Sequence, residues 1–208
     1  MNNINDNKLT FMKIDIFLSG KIVDLIVLDK SHVKKTEWYK WMNNQRLTKF
    51  TRSGFFPNTQ KKQIKYLIDN VINKKNFNKK FDEDKRLQLG ILRKKNKKLV
   101  GVISLFRFDY FSKCCDISIL IDFIKLRDSM KVYKEAQDLM IKHAFYKMNF
   151  RRIQAGTFSK NLSDLAIRLF GFKLEGIQKE KEYVDGKYHD NYLLALLKKN
   201  YISKNKIF

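Results

Sequence analysis

Apolar and polar residues alternate along this chain with two periods, and each change of period marks a new element. Lys21–Asp29 (KIVDLIVLD) is a run of apolar and β-branched residues, which predicts a strand. From Ser31 to Asn44 the apolar positions Val33, Trp38, Trp41 and Met42 predict one helix. Gln45–Pro57 reads as a loop loaded with aromatics. Asn58 and Thr59 offer caps for a second helix over Gln60–Asn73, with Ile64, Leu67, Ile68 and Val71 on one face. Lys74–Arg86 is charged and rich in Asn, with no apolar pattern beyond Phe77 and Phe81, and reads as a mobile loop. Leu87–Arg93 and Leu99–Tyr110 read as a hairpin of two strands.

The stretch that organises the rest runs from Cys114 to Phe172. It predicts a strand over Cys114–Asp122, a helix over about Ser129–Met148 and a second strand over Arg152–Phe158. A short helix over Leu162–Phe170 follows and stops at Gly171, a residue suited to the left-handed position past a helix end. Strand, helix, strand in this order makes a βαβ unit, whose two strands are expected to be parallel neighbours. The start of its helix, where backbone N–H groups lack intrahelical acceptors, is the expected place for an anionic ligand. Lys173–Val184 and Lys187–Leu197 then read as a hairpin closed by Asp185-Gly186.

One domain is expected over residues 17–198. Residues 1–16 are an unassigned extension, of which FMKIDIF could add an edge strand. Residues 199–208 belong to a basic tail, Lys198–Phe208, expected to be frayed. The fold class is α/β (α+β): a mixed, mostly antiparallel sheet of six to seven strands, with helices on both faces and a central parallel βαβ unit.

Composition narrows the function. With 44% hydrophobic and 13% aromatic residues the chain can bury a core. No apolar run reaches membrane-spanning length, and the start, MNNINDNK, lacks the parts of a secretion signal. Cys114 and Cys115 are adjacent and point to opposite strand faces, so they make neither a disulfide nor a metal site. They read as reduced core residues of a cytoplasmic protein. The net charge of +23 invites a nucleic-acid partner. Only nine of the 44 basic residues are Arg, however, and the lysines are spread along the chain, so nucleic acid is disfavoured. An anionic small ligand would gain from the same field.

Particular residues then resemble the GNAT superfamily of acetyl-CoA-dependent N-acetyltransferases, over roughly Lys21–Leu197. They are Trp41–Asn44 with Leu47–Phe50, Gly101–Leu105, and the CDISILI strand. Lys134-Glu135-Ala136 with His143-Ala144-Phe145, then Asn161, Ser163 and Gly171–Gly176, and finally Gly186–Leu196, complete the order. The resemblance is closest to the branch of ribosomal-protein, polyamine and amino-sugar acetyltransferases. It implies acetyl-CoA as cofactor and direct acyl transfer to a primary amine. The implied cofactor contacts are Leu120, Ile121 and Asp122 on the central strand, then Arg127, Ser129, Met130, Lys131, Val132 and Tyr133 at the helix start, and Asn161 and Ser163 on the short helix. The matching pyrophosphate loop here, Arg127–Tyr133, contains no glycine and includes Asp128, a departure from the family pattern.

Asp116 falls at the family's proton-acceptor position; a surface carboxylate is the competing reading. Tyr133 is the candidate acid, with packing as its alternative. The acceptor side is expected from Arg46, Arg52, Phe55, Phe56 and Tyr110. No metal cluster is expected, because the three His are far apart. The expected activity is acetylation of a small-molecule amine such as a nucleotide-linked amino sugar. The alternatives are acetylation of a protein N-terminus, or a GNAT-fold binding module without catalysis. The reading is compatible with a homodimer.

Overall fold

A computed structural model of the chain describes residues 14–49, 51, 55–72, 81–123 and 128–205. Its centre is one eight-stranded sheet in the order β1-β2-β3-β4-β5-β6-β8-β7. The strands are β1 (Ile16–Ser19), β2 (Val23–Val27), β3 (Phe81–Arg93), β4 (Lys98–Asp109), β5 (Cys114–Ile121), β6 (Arg152–Thr157), β7 (Lys173–Val184) and β8 (Lys187–Leu197). Every neighbouring pair is antiparallel except β5 and β6. The helices are α1 (Lys30–Lys35), α2 (Trp38–Trp41), α3 (Gln45–Thr48), α4 (Gln60–Leu67), α5 (Ser129–Lys142), α6 (Lys160–Phe170) and α7 (Lys198–Asn205). A wider π turn extends α4 through Ile72 and α5 through Lys147.

Helices cover both faces. On one, Val132, Ala136, Met140 and Ile141 of α5 and Phe170 of α6 pack against Leu25, Ile103, Leu105 and Ile117. On the other, Val33, Trp38, Trp41 and Leu67 pack against Ile26, Leu92 and Val102. Burial on both faces explains why the central strands are nearly continuous apolar runs.

Four elements depart from the pattern. The helix expected over Ser31–Asn44 is broken into α1 and α2 at Thr36. The Thr36 hydroxyl donates to the His32 carbonyl at 2.6 Å and accepts from the Trp38 N–H at 3.3 Å, taking over backbone partners that a continuous helix would use. The aromatic loop begins with the short helix α3, capped by Asn44, whose side chain accepts from the Arg46 amide. Strand β3 starts at Phe81 rather than Leu87, because its early part pairs with β4 (Phe81 opposite Asp109) despite its charge. The tail is a helix, α7, anchored by Tyr201, which is only 3% exposed and lies with its ring 5.6 Å from that of Phe145. The extra strand β1 pairs with β2 and raises the sheet to eight strands.

The hairpin turn is as expected: Asp185 and Gly186 both have positive φ, 50° and 79°, the geometry that matches the twist of the flanking strands. Thr59 caps α4 and Gly171 closes α6 at φ 85°.

Candidate active site

Strands β5 and β6 are hydrogen-bonded neighbours over only three register pairs, Cys114–Arg152, Cys115–Ile153 and Asp116–Gln154. Beyond Asp116 each strand continues against its other neighbour: β5 along β4 to Ile121, and β6 along β8 to Thr157. The two therefore part like a wedge, and Asp116 stands at its apex.

Which backbone groups face that wedge follows from the alternation of an antiparallel ladder. The Asp122 N–H donates to the Val100 carbonyl at 2.9 Å. The β4–β5 register is unbroken from Gly101–Ile121 to Phe106–Asp116, so Leu120, Ser118 and Asp116 also turn their backbone groups to β4. Ile117, Ile119 and Ile121 turn theirs toward β6, where the partner strand has moved away. Of the three expected backbone contacts, Ile121 faces the wedge, whereas the amides of Leu120 and Asp122 are directed into the sheet. Gly101 holds β4 close here: a Cβ on it would lie 2.5 Å from the Leu120 carbonyl oxygen.

The mouth of the wedge adjoins the start of α5. Asp128 is its cap, and its carbonyl accepts from the Lys131 and Val132 amides at 3.0 and 3.1 Å. The amides of Ser129 and Met130 thus have no acceptor within the helix. Met130 and Asn161 meet in one groove of about 440 Å³, lined also by Leu162, Asp164, Leu165 and Arg168 of α6. Ser163 is turned to the core at 2% exposure, and Val132 is fully buried. Lys131 is exposed. Arg127 lies outside the described residues, as do Arg52 and Phe50.

Asp128 is not an unmatched negative charge at this helix start. Arg93, at the end of β3, donates from Nη2 to its Oδ2 at 2.6 Å. That bond holds the Asp128 carboxyl below the usual carboxylate range. Sequence reasoning missed Arg93 because the pair joins residues 35 positions apart.

Asp116 is the central titratable group. Its side chain is 17% exposed and meets Arg107 Nη1 at 3.0 Å. Arg107 reaches it from a bulge in β4, where its φ is 50°. On the other side, with the Gln154 amide oriented to satisfy its neighbours, its nitrogen donates to Asp116 Oδ1 at 3.2 Å and its oxygen accepts from Arg152 Nε at 3.0 Å. Burial raises the Asp116 pKa, and the Arg107 guanidinium opposes the shift. A carboxylate raised in this way is a stronger base near neutral pH.

Tyr133 sits differently. Its ring packs edge-on against Phe170 at 5.7 Å, and burial pushes its hydroxyl up to about 12 against a hydrogen bond with Gln137. The surroundings are those of the packing alternative. On the acceptor side, Arg46 lines a shallow depression of about 550 Å³ with Lys40, Asn43, Asn44 and Gln45. Phe55 and Phe56 are 64% and 82% exposed. Tyr110 stacks on Phe108. Among the described residues no cluster of metal ligands occurs, and no helix is long and apolar enough to cross a membrane.

Comparison with known proteins agrees with this geometry. Residues 27–169 match the family model described as an acetyltransferase (GNAT) domain. The protein named "Probable N-acetyltransferase YjcK" of Bacillus subtilis (strain 168) is 26% identical over 123 residues, 58% of this chain and 67% of its own. A RimL ribosomal-protein alpha-N-acetyltransferase solved with coenzyme A superposes with TM-score 0.72 at 18% identity, over 88% of this chain and 98% of its own. A microcin self-immunity acetyltransferase, MccE, solved with acetyl-CoA and AMP, gives 0.68 at 18% identity, over 86% and 93%. A sheet that splays beside a capped helix start, together with a family match over most of the chain, makes this protein a member of the GNAT acyltransferase family.

Proposed function

We propose that the chain moves an acetyl group from acetyl-CoA to a primary amine on a small molecule, with a nucleotide-linked amino sugar as the first choice. The parting of β5 and β6 carries this reading. It supplies strand-like donors and acceptors at Ile117, Ile119 and Ile121, which fit the amides of a pantetheine arm. The Ser129 and Met130 amides fit a diphosphate, and the groove at Met130 and Asn161 fits the remaining bulk. The bound cofactor would supply the activated acetyl thioester.

The chain's own residues do the rest. Asp116, at the apex, accepts the proton of the incoming ammonium, directly or through water. The N–H groups turned into the wedge hold the carbonyl oxygen as charge develops on it. We assign Tyr133 to packing between α5 and α6 and leave reprotonation of the thiolate to water. The net charge of +23 disfavours a polycationic acceptor and suits one that carries phosphate. The relative solved with acetyl-CoA and AMP supports a nucleotide-bearing acceptor. Calorimetry with acetyl-CoA, followed by thiol release against amino sugars, peptides and polyamines, tests the proposal. Absence of binding at millimolar acetyl-CoA would sink it in favour of a non-catalytic module.

A further inference from the structure

We infer that the acceptor is an amine that also carries an oxyanion, a carboxylate or a phosphate, seated against Arg86 on the sheet face that α4 partly covers. The inference rests on the acyl-transfer reading and names the substrate class of the same site. The register lines up Arg86, Phe106, Asp116 and Gln154 across β3, β4, β5 and β6. In an unbroken ladder such a row lies on one face. That face is the one carrying Val102 and Leu120, which pack with α4, and not the apolar face buried by α5.

Two observations on this row point to a ligand. The first is Arg86. Its guanidinium lies 4.6 Å from the centre of the Phe106 ring, and its Nη1 donates to the Tyr66 hydroxyl at 3.1 Å. Among the residues whose side chains are described, which leaves out 81–85, no carboxylate pairs with it. A half-buried guanidinium held by a phenyl face and a phenol is a fork waiting for an oxyanion. The second is Gln88, two residues along β3 on the same face. It is 7% exposed, and its Oε1 is buried without a hydrogen-bond partner. A buried amide oxygen left unpaired is costly unless a ligand N–H or O–H completes it. Its neighbours across the strands are Ser104 and Ser118, and Ser118 is exposed, so the face opens to solvent there.

Spacing sets the size of the acceptor. The guanidinium overlies β4, one strand from Asp116, so adjacent-strand spacing separates amine nitrogen from oxyanion by on the order of 5 Å. A 2-amino sugar 1-phosphate or a small β-amino acid meets that distance. An extended polyamine has no oxyanion to offer.

The test measures binding to the full chain in the presence of coenzyme A, and thiol release from acetyl-CoA. Glucosamine 1-phosphate is compared with glucosamine for the phosphate arm, and isoserine with ethanolamine for the carboxylate arm. At least one oxyanion-bearing probe is expected to bind about tenfold or more tightly than its parent. Arg86→Met removes that preference and leaves acetyl-CoA affinity unchanged, Arg86→Lys retains part of it, and Gln88→Leu weakens both members of a pair. Absence of preference in both arms, or a preference that survives Arg86→Met, overturns the inference. Thiol release on glucosamine, ethanolamine or spermidine without oxyanion preference removes this site and leaves acyl transfer standing. Oxyanion preference without thiol release does the reverse.

Discussion

Arg93 and Asp128 meet at 2.6 Å and tie the end of β3 to the cap of α5. Arg93 Nε and Asp128 Oδ1 are both buried without partners among the described residues, so the pair is held by this one contact. The stretch that opens α5 carries no glycine, and the charge of its acidic residue, Asp128, is matched from the neighbouring strand. Arg93→Met is therefore expected to weaken acetyl-CoA binding by about tenfold, because it leaves Asp128 facing the diphosphate. Arg93→Met with Asp128→Asn should recover most of that loss. Calorimetry on the single and double variants measures the coupling.

Asp116 and Arg107 give a pH prediction. Asp116 must be ionised to accept a proton, so the rate falls as pH drops through its raised pKa. Arg107 lowers that pKa, and Arg107→Met should move the acidic limb of the kcat/KM profile to higher pH. Asp116→Asn should lower kcat/KM by about 100-fold. An unshifted limb in Arg107→Met, with activity otherwise intact, would mean that another group sets the profile.

Tyr133→Phe separates chemistry from packing. The tyrosine hydroxyl is buried and bonded to Gln137, so kcat is expected to change by less than about threefold, against the roughly 100-fold or larger loss typical of a removed acid. A loss of that larger size would restore Tyr133 as the proton donor.

Glu135 anchors the β1–β2 turn. Its Oε1 accepts from the Lys21 amide at 2.7 Å, and its Oε2 accepts from the Ile22 and Val23 amides at 2.6 and 2.8 Å. Glu135→Ala leaves these donors unpaired and is expected to cost about 3 kcal/mol. For a chain of this size that lowers Tm by roughly 6–12 °C. Glu135→Gln, which keeps one acceptor oxygen, should cost less. Gly20→Ala should also destabilise, because its Cβ would lie 2.7 Å from Glu135 Cδ and 2.9 Å from the Val23 carbonyl oxygen.

Helix α7 is part of the core. Tyr201→Ala should cost about 3 kcal/mol by emptying the space beside Phe145. Tyr201→Phe should cost about 1 kcal/mol, since it keeps the ring and removes the hydroxyl that bonds Asp138. Thermal unfolding of both variants tests this, and an unchanged Tm for Tyr201→Ala would return the tail to a frayed end.

The sequence by itself determined the βαβ unit from Cys114 to Phe158, the cap of α4, the stop of α6, the Asp185-Gly186 turn and the family. Each depends on residues close along the chain, where periodicity and turn preference act. It also put Asp116 on the central strand, since one strand position suffices for that. Tertiary structure decided the rest. Whether Leu120 or Ile121 faces the wedge depends on strand register, and a slip of one residue would exchange them. Arg107 reaches Asp116 only through a bulge in β4, and Arg93 reaches Asp128 only because β3 ends beside α5. The row from Arg86 to Gln154 joins four strands, and α7 is held by packing against Phe145 rather than by its own weak helical pattern. Such contacts join residues distant in sequence, and pairwise register, which local composition does not encode, brings them together.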